Sequence, residues 1–199
     1  MLILLQKKFP QSQYKLIILL IFTICFCLGC KDKQTEDVSV GNIVDNKDQT
    51  TITEVTVANM DIPIYDFDEL EPLLYTTTDT TYIINFWAMW CAPCVKELPY
   101  FQEYANNHPE VEMILVSMDF PKDIETKMKP FLKKNNITEK VVLLDDPNAN
   151  SWINKVYENW SGAIPFTIVF NNKERGFYER SFESVEELKN VINKTLNNK

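Results

Sequence analysis

The segment Ile83-Ile84-Asn85-Phe86-Trp87-Ala88-Met89-Trp90-Cys91-Ala92-Pro93-Cys94 constrains the fold more than any other part of the chain. Its β-branched and aromatic run reads as a buried strand. The run ends in two cysteines spaced C-x-x-C, and Val95-Lys96-Glu97-Leu98 continues as helix. A strand passing so directly into a helix puts Cys91 at the helix N-terminus. There the unpaired N–H groups and the macrodipole favour a thiolate. Cys94, one turn on, lies beneath Cys91 and can close a disulfide. This is a redox dithiol.

The rest of the chain alternates strand and helix. Period-two alternation predicts a strand over 51–57. Asp66, with Glu69 three residues on, predicts a capped helix over 66–74 that Pro72 shortens or breaks. A buried strand over 81–87 and a helix over 91–106 follow, the helix kinked at Pro99. Then come a strand over 111–118, a helix over 123–135 with Met128, Phe131 and Leu132 on one face, and a short strand over 141–144. A helix over 151–157 turns Trp152 and Val156 inward. A strand over 166–170, a turn and a hairpin partner over 177–182 lead to a last helix over 184–196, with Val185, Leu188, Val191 and Ile192 on one face. Parallel strands joined by helices and closed by a hairpin and helix define an α/β fold, a central mixed β-sheet flanked by helices.

The N-terminus reads as a targeting segment outside the fold. Lys7, Lys8 and Lys15 form a basic region, and residues 16–28 form a 13-residue apolar run. A membrane span needs about 20 residues. Apolar residues followed by Gly29 and Cys30 resemble a bacterial lipoprotein signal over 1–29, with Cys30 lipidated; Cys27 departs from the usual Leu. The alternatives are an uncleaved anchor, or Cys30 as an ordinary secretory residue. Each of these readings exports the domain to an oxidising compartment. Residues 30–50 are polar and lack a sustained period, which reads as a flexible tether able to extend roughly 70 Å. The domain is 51–199. Three of the 20 bases (Lys7, Lys8 and Lys15) precede Cys30, leaving 17 bases against 28 acids and a net charge of −11 after it. So acidic a body argues against nucleic acid as a partner. If the signal removes Cys25 and Cys27 and lipid takes Cys30, only Cys91 and Cys94 remain. A bridge with so short a spacer removes little loop entropy and is more plausibly catalytic than structural.

The segment 87–94, Pro99 after it, and Gly162-Ala163-Ile164-Pro165-Phe166-Thr167 some 70 residues later resemble the two signatures of thioredoxin-fold thiol-disulfide oxidoreductases. The continuation Cys94-Val95-Lys96-Glu97-Leu98-Pro99, the lipoprotein signal and the insert holding 141–145 are similar to the exported, membrane-tethered TlpA/ResA group. Some reductants of that group serve cytochrome c maturation. The group often has a dGk-type hairpin before its first helix; here residues 61–65 run directly into 66–70.

The resemblance implies that Cys91, exposed at the helix start, attacks a partner disulfide, and that Cys94 resolves the mixed disulfide. It implies a cis bond at Ile164-Pro165 facing the dithiol, which leaves the Ile164 backbone free to pair with substrate and keeps metal off the cysteines. Trp90, Ala92, Pro93, Ile164 and Pro165 then form the partner-facing surface. Many thioredoxins place an acid where this chain has Asn85. Glu97, on the face of Cys94, is the substitute proton acceptor; a surface carboxylate at that place is the alternative. Asn85 could equally be a satisfied core polar residue.

Trp87, Trp152 and Trp160 read as packing, and His108 as a solvated loop residue. Zinc lacks ligands beyond the one C-x-x-C, and haem attachment lacks the following His, so no metal or cofactor is expected besides the Cys91–Cys94 disulfide. Partners are protein thiols and disulfides, with a membrane electron donor. Pro93 follows the thioredoxin dipeptide pattern and points to a reductant. The alternatives are an oxidase or isomerase, or a tethered binding module.

Overall fold

A computed structural model describes residues 60–197. The expected signal, Cys30, the tether and the strand over 51–57 lie outside the described residues. Among the described residues no helix is long and apolar enough to cross a membrane.

Strand β1 (Ile64–Tyr65) pairs in parallel with β4 (Lys140–Leu144), Ile64 opposite Leu143. Helix α1 (Phe67–Leu74) opens with the expected capping box. The Glu69 N–H donates to Asp66 Oδ1 at 2.9 Å, and the Asp66 N–H donates back to Glu69 Oε2 at 3.2 Å. Pro72 lies inside this helix, which ends two residues later. Strand β2 (Thr81–Trp87) runs parallel to β3 (Val111–Ser117) and antiparallel to β5 (Phe166–Phe170). With β6 (Arg175–Tyr178) the sheet has the order β1-β4-β3-β2-β5-β6. Helix α2 (Ala92–Asn107) follows β2 and runs on past Pro99. α3 (Lys129–Lys134), α4 (Ala149–Val156) and α5 (Val185–Leu196) complete the set.

The period of two along β2 divides the core. Ile84 and Phe86 face a cluster with Phe67, Leu70, Trp152 and Trp160, which seats α1 and α4. Trp87 faces the opposite cluster with Leu98, Met128 and Leu132, and Ile83 faces Phe101, Leu188 and Ile192. Asn85 lies between Ile83 and Trp87 on the face covered by α2, fully buried.

Two expectations are corrected. The helix over 123–135 is composite: a 3₁₀ turn (Pro121–Asp123), a π turn (Ile124–Met128) and only then α3. Pro130 lacks an N–H and its ring collides with the carbonyl four residues back, so the turn ahead of it widens, and the Lys129 N–H reaches Ile124 O. The hairpin strand runs over Arg175–Tyr178, not 177–182. Asn171 Oδ1 accepts the N–H groups of Lys173 and Glu174, each at 2.8 Å, and so closes the turn at Glu174. On α5 Leu188 and Ile192 are buried, and Val185 and Val191 pack against the same cluster, as the expected shared face requires; Thr195 is buried beside them.

Candidate active site

The turn from β2 into α2 is closed by backbone bonds. The Cys91 N–H donates to Ala88 O at 3.1 Å, and the Met118 N–H to Trp87 O at 2.8 Å. Cys91 caps α2, and the Cys94 N–H donates to Cys91 Sγ at 3.3 Å. The sulfur thus receives a first-turn N–H, the group that would hold a thiolate there after reduction. Pro93, in the first turn, withholds a donor that the helix would not use. Cys91 and Cys94 are joined, S–S 2.01 Å. Cys91 is not exposed as expected: in the disulfide it keeps 6% of its surface, and its Sγ lies 3.7 Å from Ile164 O. Ala92 and Pro93 are exposed beside it.

The Ile164-Pro165 peptide bond is cis. Pro165 is buried and Ile164 half-buried, immediately ahead of β5. Trp160 holds the approach to this bond. Its ring stacks on Phe166 at 4.3 Å between centroids, and its Nε1–H donates to Ala163 O at 2.8 Å. Gly162 sits at φ +88, a backbone conformation that L side chains rarely adopt, so the turn favours glycine. Trp90, named above for the partner-facing surface, is 64% exposed. Trp87 is core, stacked on Phe131.

Glu97 is fully buried, which overturns the surface-carboxylate alternative. Its Oε1 accepts Asn85 Nδ2–H at 3.0 Å, and its Oε2 accepts the Phe182 N–H at 2.8 Å. Asn85 Nδ2 also donates to Thr167 Oγ1 at 3.0 Å, Thr167 being its cross-strand partner on β5. Burial pushes the Glu97 carboxyl up to about 7, against the opposing pull of the Phe182 N–H, the Asn85 amide and Arg180. A carboxyl poised there can hold or release a proton near neutrality, three residues along the helix from Cys94.

Two neighbours escaped the sequence reading. Asp119, just after β3, is buried; its Oδ2 accepts the Met89 N–H at 3.0 Å and the Ser117 hydroxyl at 2.9 Å. Desolvation raises its pKa, with those two bonds opposing. Phe120 follows it and is 58% exposed. A period-two strand reading stops at residue 118 and carries no signal for either. His108 is not a free loop residue: it caps the end of α2, stacks on Tyr104 at 4.3 Å and contacts Glu110 at 3.1 Å.

A mixed sheet with a C-x-x-C at a helix N-terminus and an X-cis-Pro beside it is the architecture of the thioredoxin fold. The chain belongs to the AhpC/TSA family, whose family model matches residues 63–175. It is similar to sporulation thiol-disulfide oxidoreductase A of Bacillus subtilis, 36% identical over 63 residues that make 31% of this chain and 38% of that protein. Thiol-disulfide oxidoreductase ResA of Bacillus cereus is 33% identical over 54 residues, 27% of this chain and 31% of ResA. The match thus spans 38% and 31% of the length of these two curated relatives. Among solved structures, StoA from Bacillus subtilis is 27% identical with a TM-score of 0.44, over 57% of this chain and 83% of StoA.

Proposed function

We propose that this chain is an extracytoplasmic thiol-disulfide oxidoreductase, tethered to a bacterial membrane through lipid on Cys30, that reduces disulfides of partner proteins. The observation that carries the reading is the Cys91–Cys94 disulfide at the start of α2, with Ile164 O 3.7 Å from Cys91 Sγ beside the cis bond. Partners of the cytochrome c maturation type fit a tethered reductant.

In the reduced form the Cys91 thiolate attacks one sulfur of a partner disulfide. A mixed disulfide forms and the partner's other sulfur leaves as thiolate. Cys94 gives its proton to Glu97 and attacks Cys91 Sγ. The Cys91–Cys94 bond forms, the partner's second sulfur leaves, and two electrons have passed to the partner. The half-buried Ile164 backbone and the exposed Trp90, Ala92 and Pro93 receive the partner segment. A membrane thiol donor returns two electrons to the disulfide to restore the dithiol.

The test is turnover of a disulfide-bonded protein by the lipid-free domain, together with its reduction potential. Cys91→Ser should abolish turnover, and Cys94→Ser should accumulate a mixed disulfide visible on a non-reducing gel. Undiminished turnover by Cys91→Ser would sink the enzymatic reading. A potential near about −120 mV, where strong oxidants of this fold lie, would reverse the direction.

A further inference from the structure

The C-x-x-C lies at the end of the sheet where the parallel strands β2 and β3 finish, Trp87 opposite Ser117. The loops leaving those two strands are tied to each other. The Met118 N–H donates to Trp87 O at 2.8 Å, and the Met89 N–H donates to Asp119 Oδ2 at 3.0 Å. One residue beyond the second tie, each loop carries a large exposed ring, Trp90 on one and Phe120 on the other. Among the described residues the other large hydrophobic side chains this exposed are Ile64 and Tyr75. Exposed apolar side chains gathered at one place mark a contact surface, whereas scattered ones do not.

Phe120 is held firmly in its loop. Pro121 restricts the residue before it to extended backbone, as found (φ −99, ψ 142), and the Asp123 N–H closes a 3₁₀ turn on Phe120 O at 2.9 Å. A ring on so fixed a backbone loses little freedom when a partner packs on it. Met89, Met118 and Ile164, each partly exposed, pack on the buried cluster that contains Cys91 and Cys94. Methionine is unbranched and polarizable, so it adjusts to unlike apolar neighbours. In a chain with 28 acids to 20 bases, this loop also carries a cation: the Lys122 ammonium stands 5.3 Å from the Phe120 ring centroid. The nearby acids do not cancel it, since Asp123 is paired with Lys127 at 3.0 Å and Asp119 is buried.

We propose that Phe120, with Met89 and Met118, forms a second arm of the docking surface, selecting partners whose disulfide lies in an extended segment that mixes apolar and acidic side chains. The apolar side chain packs on the Phe120 ring and the methionines, and the acid meets Lys122. The inference deepens the exchange with protein disulfides proposed above and rests on it.

The experiment uses the full chain and three peptide disulfides. The first carries alternating leucine and aspartate on both sides of each half-cystine. The second has serine in place of leucine, the third lysine in place of aspartate, and hydroxyethyl disulfide is the small reference. Stopped-flow oxidation of the reduced chain by each compound gives a second-order rate constant. The ratio of the leucine–aspartate peptide to hydroxyethyl disulfide should fall about tenfold in Phe120→Ser and largely recover in Phe120→Leu. Lys122→Glu should lower the leucine–aspartate peptide relative to the leucine–lysine peptide. It should do so by more than Lys173→Glu, which lies in the turn after β5 at the opposite end of the sheet. An unchanged ratio in Phe120→Ser, or equal effects of the two lysine variants, overturns the proposal. A second measurement needs no sulfur chemistry. The leucine–aspartate peptide with serine for cysteine, added to the oxidised chain, should shift the NMR amide signals of Met118, Phe120 and Lys122 saturably, and the serine–aspartate peptide should not. Signals that stay fixed overturn the docking arm even where exchange is fast. If the reduced chain reacts with no disulfide at all, the function proposed above fails, and the peptide titration still decides the arm.

Discussion

Asp119 Oδ2 ties Ser117, at the end of β3, to the Met89 N–H two residues before Cys91. Nothing in thiol exchange requires a carboxylate there, so its work is to fix the backbone that presents Trp90 and Cys91. Asp119→Ala leaves a half-buried N–H and a buried hydroxyl without their acceptor. The expected loss is about 1–3 kcal/mol in urea unfolding, together with an altered alkylation rate of reduced Cys91. Asp119→Asn keeps an acceptor oxygen and should recover most of both. Asn85 and Glu97 differ from Asp119 in legibility. Their identities and the missing acid were readable in the sequence, but their convergence was not. Phe182 reaches Glu97 across 85 positions with a backbone N–H, and a backbone N–H leaves no mark on residue type.

Strands and helices were legible where their periodicity was unbroken. β2 and β5 run over the residues that the apolar pattern marks, and Trp152 and Val156 are buried on α4 as their spacing requires. Departures occur where one residue overrides the period: Pro130 in the first turn of α3 and Asn171 ahead of β6. The element most consequential for the site is the approach to β5. Trp160 packs against Phe86, Phe166 and Trp152, and its indole N–H occupies Ala163 O. Trp160→Phe retains an aromatic ring but strips that carbonyl of its donor. We expect a loss of about 2 kcal/mol, seen as a fall of a few degrees in Tm. In the proposed docking a protein substrate pairs with the Ile164 backbone and a small disulfide does not, so exchange with a protein substrate should suffer more.

For the whole molecule, Glu97 makes stability depend on pH in an uncommon direction. Its folded carboxyl titrates near 7, above its ordinary value of 4.5. Between those values the folded state holds a proton that the unfolded state has released. The stabilisation is therefore complete below about pH 4.5 and is lost as pH rises through 7. Denaturant unfolding of the oxidised protein should show stability falling by on the order of 3 kcal/mol across that window. Glu97→Gln should flatten that part of the curve; an identical slope in the variant would remove Glu97 as the source. The bond from Phe182 to Glu97 carries this dependence elsewhere. It runs from the first turns of α2 to the segment that enters α5, so the charge under the dithiol tugs on a stretch of backbone far along the chain. Deuterium uptake at the Phe182 amide should be slow while Glu97 is anionic and quicken once it is neutral. The protein would then announce the state of its buried proton through a peptide that takes no part in sulfur chemistry.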